Sequence, residues 1–256
     1  MPAVTIPGTS RWRFRLVLTA ATAFLAAAVV SKVVNASPRG ALWQVVSACL
    51  ANYDMTRSPF PCLAVNLEGG ASRGFVLLRP PIGPPDTILT PARPVVGIED
   101  PALSAPGAPN YFADAWNSLS FVEGASMSPD AAVGVNSQLR RSQDQFHVHI
   151  GCLKPQARKL VARAAAAPAG VWTRAQAQHM PGQSVWTLAL EAADVADFNP
   201  IAEAMRLESG GDSLALITLV VARNPNRPGF TLLAVMNSGE TGPGAVEYFV
   251  STRCGV

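Results

Sequence analysis

The chain of 256 residues carries 20 Lys and Arg against 17 Asp and Glu, a formal charge of +3. Only 14% of it is charged, against about 25% in an average soluble protein, while 49% is hydrophobic; both values exclude a disordered or coiled-coil chain. The basic excess belongs to the amino terminus, because Arg11, Arg13, Arg15 and Lys32 all precede the first acid, Asp54. The remainder balances 16 basic against 17 acidic residues, so it lacks the electrostatic footprint of a nucleic-acid-binding protein.

The first predicted element is an export or anchor segment over residues 1–36. Three arginines are followed by the uncharged run Leu16 to Val30, broken only by Thr19 and Thr22. A signal peptide fits, with Val34-Asn35-Ala36 as its small-residue cleavage site. A single transmembrane anchor over Leu16 to Val34 also fits, if Lys32 extends to the headgroups. Either reading keeps the positive charge in the cytoplasm and puts a single domain, residues 37–256, on the other side of the membrane. Four cysteines, none in a CxxC pair, agree with an oxidising compartment. Of the three possible pairings, Cys49–Cys62 and Cys152–Cys254 are favoured; the alternative is four buried thiols.

Pro38 to Asn52 reads as a helix with Leu42, Val45, Val46 and Cys49 on one face. Gly74 to Leu78 and Thr87 to Thr90 read as buried strands. Nine of the 22 prolines fall between Pro80 and Pro109, which disfavours long helices there. A helix follows over Pro109 to Phe121, then strands at Ala131 to Asn136 and Phe146 to Leu153, and a helix at Pro155 to Ala167. Further strands are predicted at Val185 to Leu190, Leu214 to Arg223, Phe230 to Met236 and Val246 to Thr252, with a helix near Ile201 to Leu207. The turn Asn224 to Gly229 joins two of them as a hairpin. The fold class is α+β, with a mainly antiparallel sheet and flanking helices.

The chemistry concentrates in Arg140-Arg141-Ser142-Gln143-Asp144-Gln145-Phe146-His147-Val148-His149-Ile150-Gly151-Cys152. Strand periodicity puts His147 and His149 on one face with Gln143 and Gln145, opposite Phe146, Val148 and Ile150. Imidazoles so placed can attack an electrophile or shuttle protons, and the arginines can hold an anion. The competing readings are an inert polar face or two zinc ligands. Zinc needs a third and fourth ligand, for which only His179 is on offer. There is no GxSxG nucleophile elbow, GxGxxG or P-loop.

This stretch resembles the histidine-triad superfamily, whose strand carries His-x-His-x-His or His-x-His-x-Gln. More specifically it resembles the CDP-diacylglycerol pyrophosphatase family. The likeness includes Gly74-Phe75-Val76-Leu77-Leu78-Arg79 with Gly83-Pro84, Pro109-Asn110-Tyr111-Phe112 with Ala115-Trp116, and Val135-Asn136-Ser137. It continues through Ser142-Gln143, Phe146 to Ile150 and Cys152 to Pro155, and more loosely through Asn199-Pro200-Ile201, Phe230 to Ala234 and Cys254. The resemblance implies a HIT-like fold and hydrolysis of CDP-diacylglycerol to CMP and phosphatidate through a nucleotidyl-histidine. A transfer to another acceptor and a non-catalytic exported domain are the alternatives. The implied place is the bacterial inner membrane, with an amino-terminal anchor and a periplasmic body, or a cleaved leader and a secreted body. Two registers are open. With Gln145 at the first triad position, His147 is the nucleophile; with His147 there, His149 is the nucleophile and Gly151 takes the third place. The second is preferred, because Gln143 and Gln145 then stand upstream of the first histidine. His149 and His147 are thus the catalytic candidates, and Asn136, Ser142, Gln143 and Gln145 the substrate-binding ones. No metal or other cofactor is implied.

Overall fold

The computed structural model describes residues 38–80, 86–177, 180, 183–207, 214–225, 227–240 and 242–255. The amino-terminal segment, Gly83-Pro84 and His179 lie outside them. Among the described residues no helix is long and apolar enough to cross a membrane.

Helix α1 (Ala41–Thr56) is followed by three strands, β1 (Ala64–Asn66), β2 (Phe75–Leu78) and β3 (Thr87–Pro91). Helix α2 (Tyr111–Asn117) leads to β4 (Ala131–Val135), β5 (Val148–Leu153) and helix α3 (Pro155–Ala165). Then come β6 (Thr173–Ala175), β7 (Ser184–Leu190), helix α4 (Pro200–Leu207), β8 (Ile217–Arg223) and β9 (Phe230–Met236). A four-residue helix α5 (Val246–Phe249) runs into β10 (Val250–Ser251). The strands form one antiparallel sheet in the order β1-β2-β3-β5-β4-β8-β9-β7-β6, and β10 pairs with the far end of β5. The α+β class and the antiparallel pairing are as the sequence predicts.

Alternation along each strand divides the core between the two faces of the sheet. Phe146, Val148 and Ile150 join Val133, Leu219 and Leu232 in the largest apolar cluster, with Tyr111, Phe112 and Trp116 of α2 and Ile201 and Ala204 of α4. The opposite face has two separate covers. Helix α1 lies on Val76, Leu78 and Ile88, and α3 with α5 lies on Ala132, Val220 and Leu233. The register draws one row of side chains across that face: Leu78, Ile88, His149, Gly134, Val220, Leu233, Thr187 and Thr173. His149 therefore sits in the middle of the row, between the two covers.

Both favoured disulfides are present, Cys49–Cys62 joining α1 to the start of β1 and Cys152–Cys254 tying the carboxyl end to β5. Three expectations need correction. The predicted strand over Val246 to Thr252 is mostly the helix α5. Asn136 Oδ1 accepts the Val246 N–H at 2.7 Å and starts the turn, leaving two residues to pair as β10. The predicted strand from Phe146 begins at Val148, since residues 145 and 146 bond to the 95–96 stretch instead. The predicted helix over Pro109 to Phe121 stops at Asn117 and resumes as a single 3₁₀ turn, Leu119–Phe121. Three-residue strands β1 and β6 are too short to carry a period that sequence reading can detect.

Candidate active site

Three backbone elements build the site around β5. Strand β3 brings Asp86, the residue just before Thr87, alongside His149. Asn136 directly follows strand β4, and α5 with β10 brings Glu247. Two glycines make the last approach possible. A Cβ on Gly151 would lie 2.0 Å from the Ser251 carbonyl oxygen, so β10 can pair with β5 only because position 151 has no side chain. A Cβ on Gly134, directly across from His149, would lie 3.1 Å from Val246 and 2.9 Å from the Leu219 oxygen.

The two imidazoles share a face, with ring centroids 5.1 Å apart. They are not on an exposed polar face: His147 is 9% and His149 7% exposed. Their hydrogen-bond partners differ in kind. His147 Nδ1 lies 2.7 Å from the Gln145 backbone carbonyl, which can only accept. Nδ1 therefore carries the hydrogen, and the neutral ring keeps its lone pair on Nε2. His149 Nδ1 lies 3.2 Å from Asp86 Oδ2, and its Nε2 is 3.8 Å from Glu247 Oε1. Among the described residues, Nε2 of His149 has no hydrogen-bond partner.

These surroundings drive the two rings apart. Burial pushes the His147 pKa down to about 4, helped by the neighbouring His149 and opposed by the Gln145 carbonyl. Burial acts in the same direction on His149, but the Asp86 hydrogen bond and the fields of Glu247 and Asp86 outweigh it and raise that pKa. The pair is thereby biased in opposite directions, His147 toward the neutral ring and His149 toward the protonated one. Such a split is how a site assigns a nucleophile or base and an acid to chemically identical groups.

The remaining predicted residues are placed as follows. Asn136 is buried and links α5 to the pair, its Nδ2 donating to Glu247 at 3.1 Å while its Oδ1 takes the Val246 N–H. Gln145 is committed to the 90–95 loop: its Nε2 donates to Thr90 Oγ1 and the Arg93 carbonyl, and its Oε1 accepts from Val95. Its contribution to His147 is its backbone carbonyl. Gln143 Oε1 accepts the Leu42 N–H at the start of α1, and Ser142 is exposed. Arg141 is buried in ion pairs with Glu99 and Asp144, and Arg140 donates to Asn237.

Sequence reading missed Asp86 and Glu247. With His149 they offer one ligand atom each within 4.8 Å of one another. The two carboxylates, however, face opposite nitrogens of the same ring, an arrangement that favours the charged ring rather than one that converges on a single ion. Among the described residues, the space lined by Asp86, His149, Val246, Glu247, Val250 and Thr252 is about 10 Å³, the size of one water.

Two comparisons bear on this arrangement. The chain is 37% identical to the CDP-diacylglycerol pyrophosphatase of Yersinia pestis over 157 residues, 59% of this chain and 59% of that protein. It is 35% identical to the probable CDP-diacylglycerol pyrophosphatase of Mycobacterium leprae over 126 residues, 47% and 46% of the two chains. The chain thus matches about half to three-fifths of the length of these relatives. The model of one family, the CDP-diacylglycerol pyrophosphatases, matches residues 37–256, the whole of the body described above, and the chain belongs to that family.

Proposed function

We propose that the protein hydrolyses CDP-diacylglycerol to CMP and phosphatidate, with His147 as the nucleophile and His149 as the acid. The observation that carries the division of labour is the difference between the two Nδ1 partners, a carbonyl for His147 and a carboxylate for His149. The sequence favoured the opposite register; the hydrogen bonds favour this one. The substrate assignment rests on the family and on the names of the relatives.

In this reading the Nε2 lone pair of His147 attacks the phosphorus that bears cytidine. The bond from that phosphorus to the bridging oxygen breaks, and His149 Nε2–H gives its proton to that oxygen as phosphatidate leaves. The nucleotidyl-imidazolium that forms keeps its Nδ1–H on the Gln145 carbonyl, whose dipole stabilises the new positive charge. Water then attacks, passing a proton to the now neutral His149. The P–N bond breaks, CMP departs, and both rings regain their starting states. The His149 Nε2 without a partner is the donor that the bridging oxygen satisfies. Asp86 holds the ring and its charge. Substrate enters through a surface that leaves the rings only 9% and 7% exposed, and the half-exposed Glu247 guards that surface.

A HIT-like fold and a mechanism without metal belong to the same proposal. So does a location against the inner membrane, where residues 1–36 keep the body close to a lipid substrate. The test is incubation of the full chain with CDP-diacylglycerol labelled in the cytidine-bearing phosphate, with rapid acid-free quenching. His149→Ala should slow turnover but still trap a phosphohistidine, and His147→Ala should trap none. A labelled adduct in His147→Ala that is absent from His149→Ala reverses the roles. Full turnover by both variants removes the mechanism, and absence of CMP with the unaltered chain removes the substrate.

A further inference from the structure

A cavity lined by residues of α3, α5 and the 176–180 stretch lies away from the histidines. It has a volume of about 720 Å³, within the range of sites that hold small organic ligands. Its floor is Leu160 of α3 with Met180, its wall includes Tyr248 of α5, and its rim carries Lys159 and Arg163. A smaller cavity of about 250 Å³ continues it past Arg163 to Arg174, Thr173 and Thr187. No carboxylate is among the described residues lining either one. Three long side chains rich in hydrogen-bond donors around a partly apolar trough match an occupant with carbonyl acceptors at one end and apolar chains along its length.

Position ties this trough to the proposed active site. Leu160, Met180 and Tyr248 belong to the cover on the histidine face of the sheet. Thr187 and Thr173 end the row of side chains that passes through His149. At about 4.8 Å per strand, β9 and β7 lie roughly 14 and 19 Å from β5. Glu247, which faces His149, and Tyr248, which lines the trough, are consecutive residues. Two hydrogen bonds lock α5 to the start of α3: Lys154 Nζ to the Glu247 carbonyl and Gln156 Nε2 to the Tyr248 carbonyl, both at 2.6 Å.

We propose that this trough along α3 seats the diacylglycerol part of the substrate, with Lys159 and Arg163 hydrogen-bonding its ester carbonyls and an acyl chain lying over Leu160 and Met180. This inference rests on the hydrolase reading above. It makes the protein selective for lipid-linked cytidine diphosphate over the same pyrophosphate without chains.

The experiment compares kcat/KM for long-chain CDP-diacylglycerol in detergent and for water-soluble CDP-glycerol, using the full chain. Two variants are used, Ala162→Trp, which fills the trough from an exposed helix position, and the double variant Lys159→Glu/Arg163→Glu, also exposed. The unaltered protein should prefer the long-chain substrate, and each variant should cut that preference at least about tenfold, the effect of leaving two or three methylenes unburied. The loss should appear mainly in KM. An unaltered preference in both variants, or no preference in the parent, overturns the trough while leaving the hydrolase reading intact. Failure of the parent to release CMP from either substrate overturns both.

Discussion

The carboxylate that controls His149 is Asp86, and replacing it with Asn separates charge from geometry. The Nδ1–Oδ2 distance of 3.2 Å is at the limit of a hydrogen bond, and both side chains are 9% exposed, so water screens the pair little. An amide oxygen can accept the same proton, so the variant exchanges a charge-assisted bond for a neutral one. The former contributes about 1.5–3 kcal/mol and the latter about 0.5–1.5, a loss of roughly 1–1.5 kcal/mol or about tenfold in the protonation equilibrium of His149. Glu247 behaves differently. It is 3.8 Å from Nε2, too far to bond, and its side chain is 43% exposed. Glu247→Gln should therefore shift the same equilibrium by at most about fivefold, as an exposed ion pair does. With three histidines in the chain, ring resonances followed by NMR across a pH series give the midpoint of His149 directly. The basic limb of the pH profile of kcat/KM should fall with it. If the His149 midpoint is the same in Asp86→Asn as in the parent, or moves further in Glu247→Gln, the assignment of Asp86 as the controlling group is wrong.

Gly151→Ala places a Cβ 2.0 Å from the Ser251 oxygen, and urea unfolding should show a loss of about 1–3 kcal/mol as β10 is forced from β5. Breaking the disulfides should cost unequal amounts. The Cys49–Cys62 loop, 13 residues apart, contributes about 3 kcal/mol and the Cys152–Cys254 loop, 102 apart, about 4.7, so Cys254→Ser should lower the denaturation midpoint more than Cys62→Ser. The histidines also make stability depend on pH in opposite directions. The His147 pKa is lower in the folded chain, about 4 against 6.5, so its contribution is present above pH 6.5 and is lost as pH falls through 4, a span of about 3 kcal/mol. The His149 pKa is raised, so its contribution is complete below pH 6.5 and is lost as pH rises through the folded value. Denaturation of His147→Asn across pH 4–7 should be flatter than that of the parent.

How much could be read from the sequence follows from the range of each signal. The histidine face, the core strands and α3 have local periods of two or three to four residues, and these positions behave as the periods say. Glu247 was unreadable because Val246 to Ser251 alternates weakly enough to pass for a strand. What turns it into a helix is a side chain 110 residues away, Asn136 capping Val246. Asp86 follows a proline-rich segment with no period, and only the register of β3 on β5, Ile88 against His149, brings it to the ring. Gln145 looked like a phosphate ligand because an amide beside two histidines on one face invites that role. Its carboxamide instead satisfies the backbone of a loop some 50 residues earlier, a demand that appears only once that loop is folded against it. The burial of the histidine face was not legible either, since alternation shows which residues share a side and not what covers that side.

Two identical side chains two residues apart on a strand begin with the same chemistry, so whatever separates them must come from their neighbours. Here the separation arises at the point where β5 starts. His147 precedes the paired region of β5, and its ring folds back onto the carbonyl of Gln145, a residue ahead of the strand that pairs through an isolated bridge to Val96. His149 is inside the paired region, flanked by β3 on one edge and β4 on the other, and Asp86, just ahead of β3, sets a carboxylate beside it. A carbonyl fixes a tautomer and supports a ring charge only through its dipole; a carboxylate adds a full opposing charge. On the proposed mechanism, the start of one strand is what separates the ring that attacks from the ring that donates the proton. Moving that start by two residues would give both rings the same surroundings and remove the difference on which the chemistry depends.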